Sequence, residues 1–330
     1  MKAVVFTRPG EFEYATIPDP EVGPRDALIQ VAASGICGTD LHILEGEFSD
    51  TFPVVPGHEF AGTVLEVGSE VEHVRAGDKV GVNPSHICYE CRYCQKGLTN
   101  LCEVAGGYGT SWNGGSAELC AVDLRHLVKL PDAMDARDAT LIEPLSCAIR
   151  GYDVLKSQMG NRALIYGAGT MGLMMLQLAK RAGVASVEVV DVNPAKLEVA
   201  RQLGCDAAVT SADELDRPYG WELVVDATGN QNAIQDGIGR VDRGGTFLQF
   251  GVASYDARAT IEPYRIFRNE ITITGSMATL NSYHRAADLF ASGVIPPEIF
   301  ISDRIPLSQY GEALELFRAG RGRKVQVVPE

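Results

Sequence analysis

Eight cysteines are spread unevenly along the 330-residue chain, and four of them form a cluster. The cluster has the spacing C-x-x-C-x-x-C-x7-C, which places four sulfur ligands within fifteen residues. Thiolates at this spacing can close a tetrahedral zinc site with no open position, and such a site is structural. Four free thiols, or a redox pair using one C-x-x-C, are the alternatives that regular spacing disfavours. The predicted structural zinc ligands are Cys88, Cys91, Cys94 and Cys102.

Three shorter motifs carry further metal-ligand side chains, and each is weak on its own. They are G-I-C-G-T-D-L-H with Cys37, G-H-E with His58 and Glu59, and E-P-L-S with Glu143. A lone His or Cys is more often a packed structural residue than a ligand. Together, however, the motifs offer one sulfur, one nitrogen and two carboxylates. This donor set suits a catalytic zinc that leaves room for a substrate.

A third chemical feature is the run G-A-G-T-M-G at 167–172, which fits G-x-G-x-x-G after an apolar strand and before a helix. Its glycines permit a tight turn and a close approach of the backbone to a pyrophosphate at the helix N-terminus. An acidic residue at the end of the next strand would accept hydrogen bonds from the ribose of NAD, and it would repel the extra phosphate of NADP. The predicted cofactor-binding residues are Gly167, Gly169, Thr170, Met171, Gly172, Asp191 and Thr228.

The elements that must position these residues change character along the chain. The first ~145 residues have short β patterns and Gly/Pro turns, with strands at 26–34, 60–67 and 78–82, and they predict an irregular barrel. Strands and helices then alternate, which predicts a parallel sheet covered on both faces. The strands are expected at 162–166, 187–190, 207–210, 223–226, 246–251 and 271–275, and the helices at 170–182 and 194–203.

The segment after Gly275 breaks the alternation. Helices at 282–291 and 310–319 and a strand at 324–328 are expected, and we infer that this segment returns to the first domain. The N-terminal run 1–9 reads as a first strand, because its apolar stretch is too short for a signal peptide.

Charge and hydropathy exclude two classes of partner. The net charge of −14 repels phosphate backbones and anionic lipid, so neither nucleic acid nor a membrane is expected as a partner. No stretch approaches the ~20 apolar residues that a membrane-spanning helix needs. Clustered cysteines in a chain of this kind indicate metal binding rather than disulfides, and a cytoplasmic location is expected.

Taken in order along the chain, these motifs resemble those of the zinc-containing medium-chain alcohol dehydrogenases, and most of all the polyol (sorbitol-type) branch. The resemblance covers nearly the whole length. It implies an α/β protein with an N-terminal chaperonin-like (GroES-like) β-barrel catalytic domain and a Rossmann domain with a doubly wound parallel sheet. The catalytic domain would comprise 1–145 and 278–330, and the NAD-binding domain 146–277. The resemblance also implies a homo-oligomer, either a dimer or a tetramer.

The resemblance also assigns roles to individual residues. Cys37, His58 and Glu59 would bind the catalytic zinc, and Glu143 would be a fourth ligand, direct or through water. Many alcohol dehydrogenases of the family have Cys at the position of Glu143. The remaining roles belong to the proton path: Thr39 would take the substrate proton, and His42 would pass it to solvent.

The predicted activity is NAD-dependent oxidation of a secondary hydroxyl of a small polyol or sugar alcohol, giving a ketose or ketone, with two zincs per chain. Zinc lowers the pKa of a bound hydroxyl, and the nicotinamide accepts the hydride. An L-threonine dehydrogenase and a phosphorylated-polyol dehydrogenase remain alternatives, although threonine dehydrogenases usually have Gly where this chain has Ser146. A remoter alternative is a zinc-free quinone reductase or a non-catalytic member of the fold, and such proteins lack both ligand sets.

Overall fold

The computed structural model describes residues 1–47, 51–104, 106–217 and 219–330. Among these, the strands are β1 (Lys2–Arg8), β2 (Glu11–Thr16), β3 (Asp26–Gly35), β4 (Glu59–Val67), β5 (Lys79–Val82), β6 (Leu119–Asp123), β7 (Leu127–Lys129), β8 (Arg162–Tyr166), β9 (Ser186–Val190), β10 (Ala207–Val209), β11 (Trp221–Asp226), β12 (Val241–Gln249), β13 (Thr272–Gly275), β14 (Ile301–Pro306) and β15 (Lys324–Val328).

The helices are α1 (Gly38–Leu44), α2 (Arg92–Gln95), α3 (Ile142–Leu155), α4 (Thr170–Arg181), α5 (Pro194–Gln202), α6 (Gln231–Arg240), α7 (Pro263–Asn269), α8 (Tyr283–Ala291), α9 (Pro297–Phe300) and α10 (Tyr310–Arg318). The described part of the chain contains no helix with the length and apolar character needed to cross a membrane.

The chain divides into two compact units. The first unit comprises Met1–Ser146 and Thr279–Glu330, and the second comprises Cys147–Ala278. The C-terminal segment lies in the same unit as the N-terminal one, and its strand β15 pairs with β3.

The first unit is built on a seven-stranded sheet with the order β14-β15-β3-β4-β5-β7, and β6 also pairs with β3. Strand β3 is its hub, since it pairs antiparallel with β4, β6 and β15. Gly35, at the end of β3, is opposite both Glu59 of β4 and Gln326 of β15. Three segments that are distant in sequence therefore meet at one end of β3.

Two apolar clusters hold this sheet in place. One lies among β3, β4, β5 and β6 and is centred on buried residues such as Ile29, Phe60 and Val80. The other joins β1, α1, α10 and β15 through Phe6, Ile43 and Tyr310, among others. The second cluster anchors α1 and β15, the elements on both sides of the end of β3.

The second unit contains a six-stranded parallel sheet with the order β10-β9-β8-β11-β12-β13. All strands run in the same direction, but the strand order reverses at β8: β9 and β10 follow on one side of it, and β11, β12 and β13 on the other. Tyr166, the last residue of β8, is level with Val190 of β9 and Asp226 of β11. The carboxyl ends of three strands thus lie together, which is where ligands bind in doubly wound sheets.

Most predicted elements appear within two residues of their expected bounds, including β8 and β15, whose limits coincide with the predicted ones. Strand β12 was predicted to begin at Thr246 and begins at Val241. Arg243 and Gly244 within it are exposed, so the continuous buried run that marks a strand begins only at Gly245. No helix was predicted at α1, α2, α3, α6, α7 or α9, and no strand at β2, β6, β7 or β14.

Candidate functional site

Cys37 lies where β3 gives way to α1, and it is the residue before the first helical turn. Its backbone N–H donates to Asp40 Oδ2 at 2.8 Å, which fixes the entry into the helix. This is the N-terminal capping arrangement, in which a carboxylate at the third helical position accepts from the residue before the helix. The thiol of Cys37 is consequently held at the end of β3, beside Glu59 of β4.

His58 is buried in the turn before β4, with its Nδ1 3.6 Å from Asp40 Oδ1. Burial by itself lowers the pKa of His58, but the Asp40 carboxylate, followed by Cys37, raises it well above its ordinary value. The Asp40 carboxylate faces Nδ1, and this leaves Nε2 as the nitrogen for a metal. Carboxylate partners of this kind orient metal-binding histidines and increase their basicity.

Glu59 begins β4 and is 1% exposed. Both of its carboxylate oxygens accept from Lys324 Nζ, at 2.7 Å for Oε1 and 2.6 Å for Oε2. The structure groups Cys37, His58 and Glu59 so that one ligand atom from each lies within 4.8 Å of the others. A thiolate, an imidazole and a carboxylate at this spacing fit the donor chemistry of zinc.

Glu143 lies in the first turn of α3 and is 8% exposed. Its charge contributes to raising the pKa of Lys324 and of the buried Tyr283, so its carboxylate is near both side chains. Glu143 therefore adds a second buried acid to the surroundings of Lys324, in the same unit as the other three predicted ligands.

The predicted proton path starts one residue beyond Gly38. Thr39 Oγ1 is 3.8 Å from Cys37 Sγ, so its hydroxyl lies beside the predicted zinc ligand. His42 is one turn further along α1 and is partly exposed, with its Nδ1 2.5 Å from Glu47 Oε2. Thr39 thus lies beside a predicted zinc ligand, and His42 on the same helix is reached by solvent.

The four clustered cysteines form a separate site in the first unit. One ligand atom from each lies within 4.8 Å of the others, and Cys88 Sγ is 3.9 Å from Cys94 Sγ. Zinc–sulfur bonds of about 2.3 Å in tetrahedral geometry put sulfur atoms about 3.8 Å apart, so the spacing fits zinc. Cys91 precedes α2, Cys94 lies within it, and Cys102 follows a short 3₁₀ turn.

Backbone groups favour ionised sulfur at this site. The N–H of Cys91 donates to Cys88 Sγ, and the N–H of Cys94 donates to Cys91 Sγ. The hydrogen bond from Cys94 N–H is the main reason that the pKa of Cys91 is lowered to about 6. Burial and the neighbouring sulfurs raise the pKa of Cys94 to about 12. A divalent cation would relieve this crowding of like charges, as expected for a closed zinc site.

The predicted cofactor loop lies at the carboxyl end of β8 in the second unit. Gly167 has a positive φ of 103°, and a Cβ on Gly172 would lie only 1.8 Å from the carbonyl oxygen of Gly167. Thr170 and Met171 form the first turn of α4, which starts directly after Gly169. Because a Cβ on Gly169 would meet nothing within 4 Å, this position borders open space that a pyrophosphate can occupy.

Asp191 follows β9, with Oδ2 accepting from Ala168 N and Oδ1 from Asn193 N, both at 2.8 Å. Its carboxylate is therefore tied to the glycine loop. Thr228 follows β11 and donates from its hydroxyl to Asp226 Oδ1, with its methyl group beside Gly167. The predicted cofactor-binding residues thus meet at one edge of the parallel sheet.

The structure groups the four cysteines and, separately, Cys37, His58 and Glu59, whereas Glu143 lies outside both groups. Sequence reasoning missed three residues. These are Asp40, Glu47 and Lys324. Asp40 could have been found, since a carboxylate three residues after Cys37 has the spacing of a helix cap. Lys324 could not, because nothing in the sequence of β15 shows what faces it.

Two family models match the chain. One, described as the alcohol dehydrogenase GroES-like domain, matches residues 23–132, and the other, described as zinc-binding dehydrogenase, matches residues 170–292. The first match falls in the first unit and the second match lies mostly in the second unit. The predicted fold class is confirmed.

Curated relatives and solved structures match along the whole chain. D-arabinitol dehydrogenase 1 of Uromyces fabae is 35% identical and the match covers 100% of this chain and 97% of the relative. D-altritol 5-dehydrogenase of Agrobacterium fabrum (strain C58) is 38% identical, with 94% of each covered. A zinc-binding dehydrogenase structure from Sinorhizobium meliloti 1021, bound to NADP, has a TM-score of 0.94 at 33% identity, with 99% of each chain covered.

The two predicted metal sites should respond differently to loss of a ligand. Cys91→Ser should lower the melting temperature by at least about 5 °C, because a closed zinc site contributes folding free energy. Cys37→Ser should abolish turnover and remove one zinc while the fold is kept, because an open site contributes little to folding. Metal analysis and thermal unfolding measure both effects.

Cys205→Ser is the control, since this half-buried thiol lies in the second unit and belongs to neither group. It should retain both zincs. If Cys37→Ser kept the activity and zinc content of the unmodified protein, the assignment of Cys37 as a catalytic-zinc ligand would be wrong.

Proposed function

Because this chain belongs to the zinc-containing medium-chain alcohol dehydrogenase family, we propose that it oxidises a secondary hydroxyl of a small polyol or sugar alcohol to a ketone, with NAD as acceptor. The observation that carries the proposal is the group of Cys37, His58 and Glu59, whose ligand atoms lie within 4.8 Å of one another. The names of the D-arabinitol and D-altritol dehydrogenases support the substrate class.

Two bound groups supply the chemistry: zinc acts as a Lewis acid toward a hydroxyl, and the nicotinamide accepts hydride. The residues of the chain supply position and a proton path. Cys37, His58, Glu59 and Glu143 would hold the catalytic zinc, and Asp40 would keep His58 oriented with Nε2 toward it.

The proton of the substrate hydroxyl must leave a buried place. In our proposal the hydroxyl of Thr39 accepts it, and His42 transfers it to solvent. Glu47 assists by orienting the imidazole, because its carboxylate is 2.5 Å from His42 Nδ1.

The alternatives differ in what they require. A zinc-free quinone reductase would have no use for the two ligand sets, and both are assembled in the first unit. An L-threonine dehydrogenase would accept a substrate with a carboxylate and an ammonium group. The buried hydroxyl of Ser146 donates to the carbonyl oxygen of Glu143 at 2.7 Å. This hydroxyl is therefore bonded within α3 and is not available to bind those charged groups.

A substrate panel tests the proposal. We expect oxidation of C4–C6 polyols with NAD at a kcat/KM at least about 10² times that for ethanol, because a diol can offer two oxygens to the metal site. L-threonine and the phosphorylated polyols are the informative comparisons. A clear preference for L-threonine, for a phosphorylated polyol or for ethanol would contradict the proposed substrate class.

For the cofactor we propose NAD in preference to NADP. The Asp191 carboxylate is held at the glycine loop, where it would accept hydrogen bonds from the adenosine ribose and repel a 2′-phosphate. The three residues after Asp191 supply no cation for such a phosphate. The NADP in the Sinorhizobium meliloti structure makes this preference a point that needs measurement.

The expected NAD preference is a factor of ~10² or more in kcat/KM, which corresponds to roughly 2.7 kcal/mol. Asp191→Ser should reduce it by weakening NAD and admitting NADP, whereas Glu198→Gln, an exposed carboxylate in α5, should leave it unchanged. Equal use of both cofactors by the unmodified protein would show that Asp191 does not face the ribose.

For assembly and location we propose a cytoplasmic homo-oligomer. The eight cysteines, all of them in the described part of the chain, form no disulfide, as in proteins of reducing compartments. Strand β13 is an edge strand of the six-stranded sheet, and its Ile273 is 42% exposed. In α7, which precedes β13 in the chain, Tyr264 and Phe267 are 75% and 80% exposed. An edge strand with exposed apolar neighbours favours pairing with another chain, and we assign a second copy of this protein to it.

The assembly can be checked by light scattering on the purified protein. Phe267→Asp should convert the oligomer toward a smaller species, because a charge in an apolar interface is costly to bury. Met159→Asp is the matched control, since Met159 is 85% exposed but lies beside Gly183, away from β13. A monomeric unmodified protein, or an unchanged mass for Phe267→Asp, would contradict this interface.

A further inference from the structure

Lys324 is a buried lysine next to the predicted catalytic zinc ligands, and no role has been assigned to it above. Its side chain is 5% exposed, and its Nζ donates to Glu59 Oε1, Glu59 Oε2 and the carbonyl oxygen of Ile36. These acceptors lie at 2.7, 2.6 and 3.1 Å and use all three ammonium hydrogens. A lysine is almost never buried without such partners.

The pairing of three strands brings Lys324 to this place. Gly35 of β3 is level with Glu59 of β4 and with Gln326 of β15, and Lys324 is two residues from Gln326 and so on the same face of β15. A Cβ on Gly35 would lie 2.2 Å from Glu59 Oε2 and 3.2 Å from Lys324 Cδ. The ion pair therefore occupies the space that a side chain at Gly35 would fill.

The charges explain why a cation is needed here. Cys37, Glu59 and Glu143 carry three negative charges when they are ionised, and one zinc ion carries two positive charges. The remaining negative charge would be buried, and the buried Asp40 carboxylate beside His58 adds another, which is strongly unfavourable without a partner. The ammonium of Lys324 offsets part of this charge. Burial lowers the pKa of Lys324, but Glu59, Cys37 and Glu143 together raise it above its ordinary value.

The hydrogen bonds from Lys324 also limit how strongly the Glu59 carboxylate can donate electrons to a metal. Both of its oxygens are engaged by Lys324, and a carboxylate that is bound in this way is a weaker electron donor to a metal. From the ion pair and its position we infer that Lys324 is a positioning residue: it holds the Glu59 carboxylate and offsets the donor-set charge, so that zinc remains a strong Lewis acid. This inference rests on the catalytic zinc of the proposed function.

If Lys324 has this role, the net charge of the Lys324–Glu59 pair controls both the rate of zinc release and the pH profile of kcat/KM. Lys324→Met leaves the pair with one negative charge and frees Glu59 for the metal. Lys324→Arg and the double variant Lys324→Met/Glu59→Gln keep the pair neutral. Glu59→Gln leaves it with one positive charge. Lys129→Met is the control, because Lys129 makes an ion pair with Asp78 elsewhere in the first unit, where its side chain is 47% exposed.

The experiment measures zinc loss to a chelator and the pH profile of kcat/KM. Loss of the catalytic zinc is the phase of zinc release that is present in the unmodified protein and missing from Cys37→Ser. Lys324→Met should slow this phase about tenfold or more and move the pH midpoint up by about one unit, because added negative charge holds zinc and weakens it as an acid. Lys324→Arg and Lys129→Met should keep the unmodified release rate, and Glu59→Gln should accelerate it about tenfold. The double variant lacks the same ligand but also lacks the unpaired ammonium, so it should release zinc more slowly than Glu59→Gln.

Two results would overturn the inference. One is that Lys324→Met keeps the unmodified release rate and pH midpoint and loses only thermal stability, which means that Lys324 merely packs. If Lys324→Met does not fold, Glu59→Gln is compared with the double variant instead. Equal zinc-release rates for these two variants are the second result that would overturn the inference. An unmodified protein with a single zinc, held by the four-cysteine site, would instead refute the proposed function itself.

Discussion

The structure of the first unit depends on the pairing of β3 with two strands that are distant from it in sequence. Cys37 lies just after the end of β3, and Glu59 of β4 lies directly opposite Gly35. Lys324 lies on β15, which pairs with the other edge of β3. A shift of one residue in either pairing would turn Glu59 or Lys324 to the opposite face of the sheet. The apolar clusters on both sides of β3 make such a shift costly, because it would move buried side chains such as Ile29 and Val327 toward water.

The first unit holds two kinds of candidate zinc site, and they differ in how they are built. The four cysteines come from one short segment, and backbone N–H groups of that segment support their sulfurs. The other site takes its ligands from separate segments of the chain, and these ligands depend on side chains for support: Asp40 for His58 and Lys324 for Glu59. A local site adds stability to a loop, whereas a site assembled from distant elements can leave a position open for substrate.

The second unit shows how far a local motif can carry a prediction. The turn after β8 needs a positive φ at Gly167 and no side chain at Gly172, and both requirements are visible in the G-x-G-x-x-G spacing. The apolar runs on either side predict β8 and α4 because their periods differ. Helix α6 escaped prediction because its two internal glycines and several polar residues obscure the helical period, and Asn230 caps it from outside.

The sequence by itself determined the fold class, and it predicted the two ligand sets, the cofactor loop and the return of the C-terminal segment. The four-cysteine set and the cofactor loop rest on short-range spacing, the strands and helices on periodicity, and the dispersed ligand set on the order of its motifs along the chain. Only the tertiary structure decided that Lys324 faces Glu59, that Asp40 faces His58 and that Gly35 leaves room for the ion pair. The physical reason is that strand register joins residues hundreds of positions apart, and the charge that a buried acid meets there is not written in its own neighbourhood.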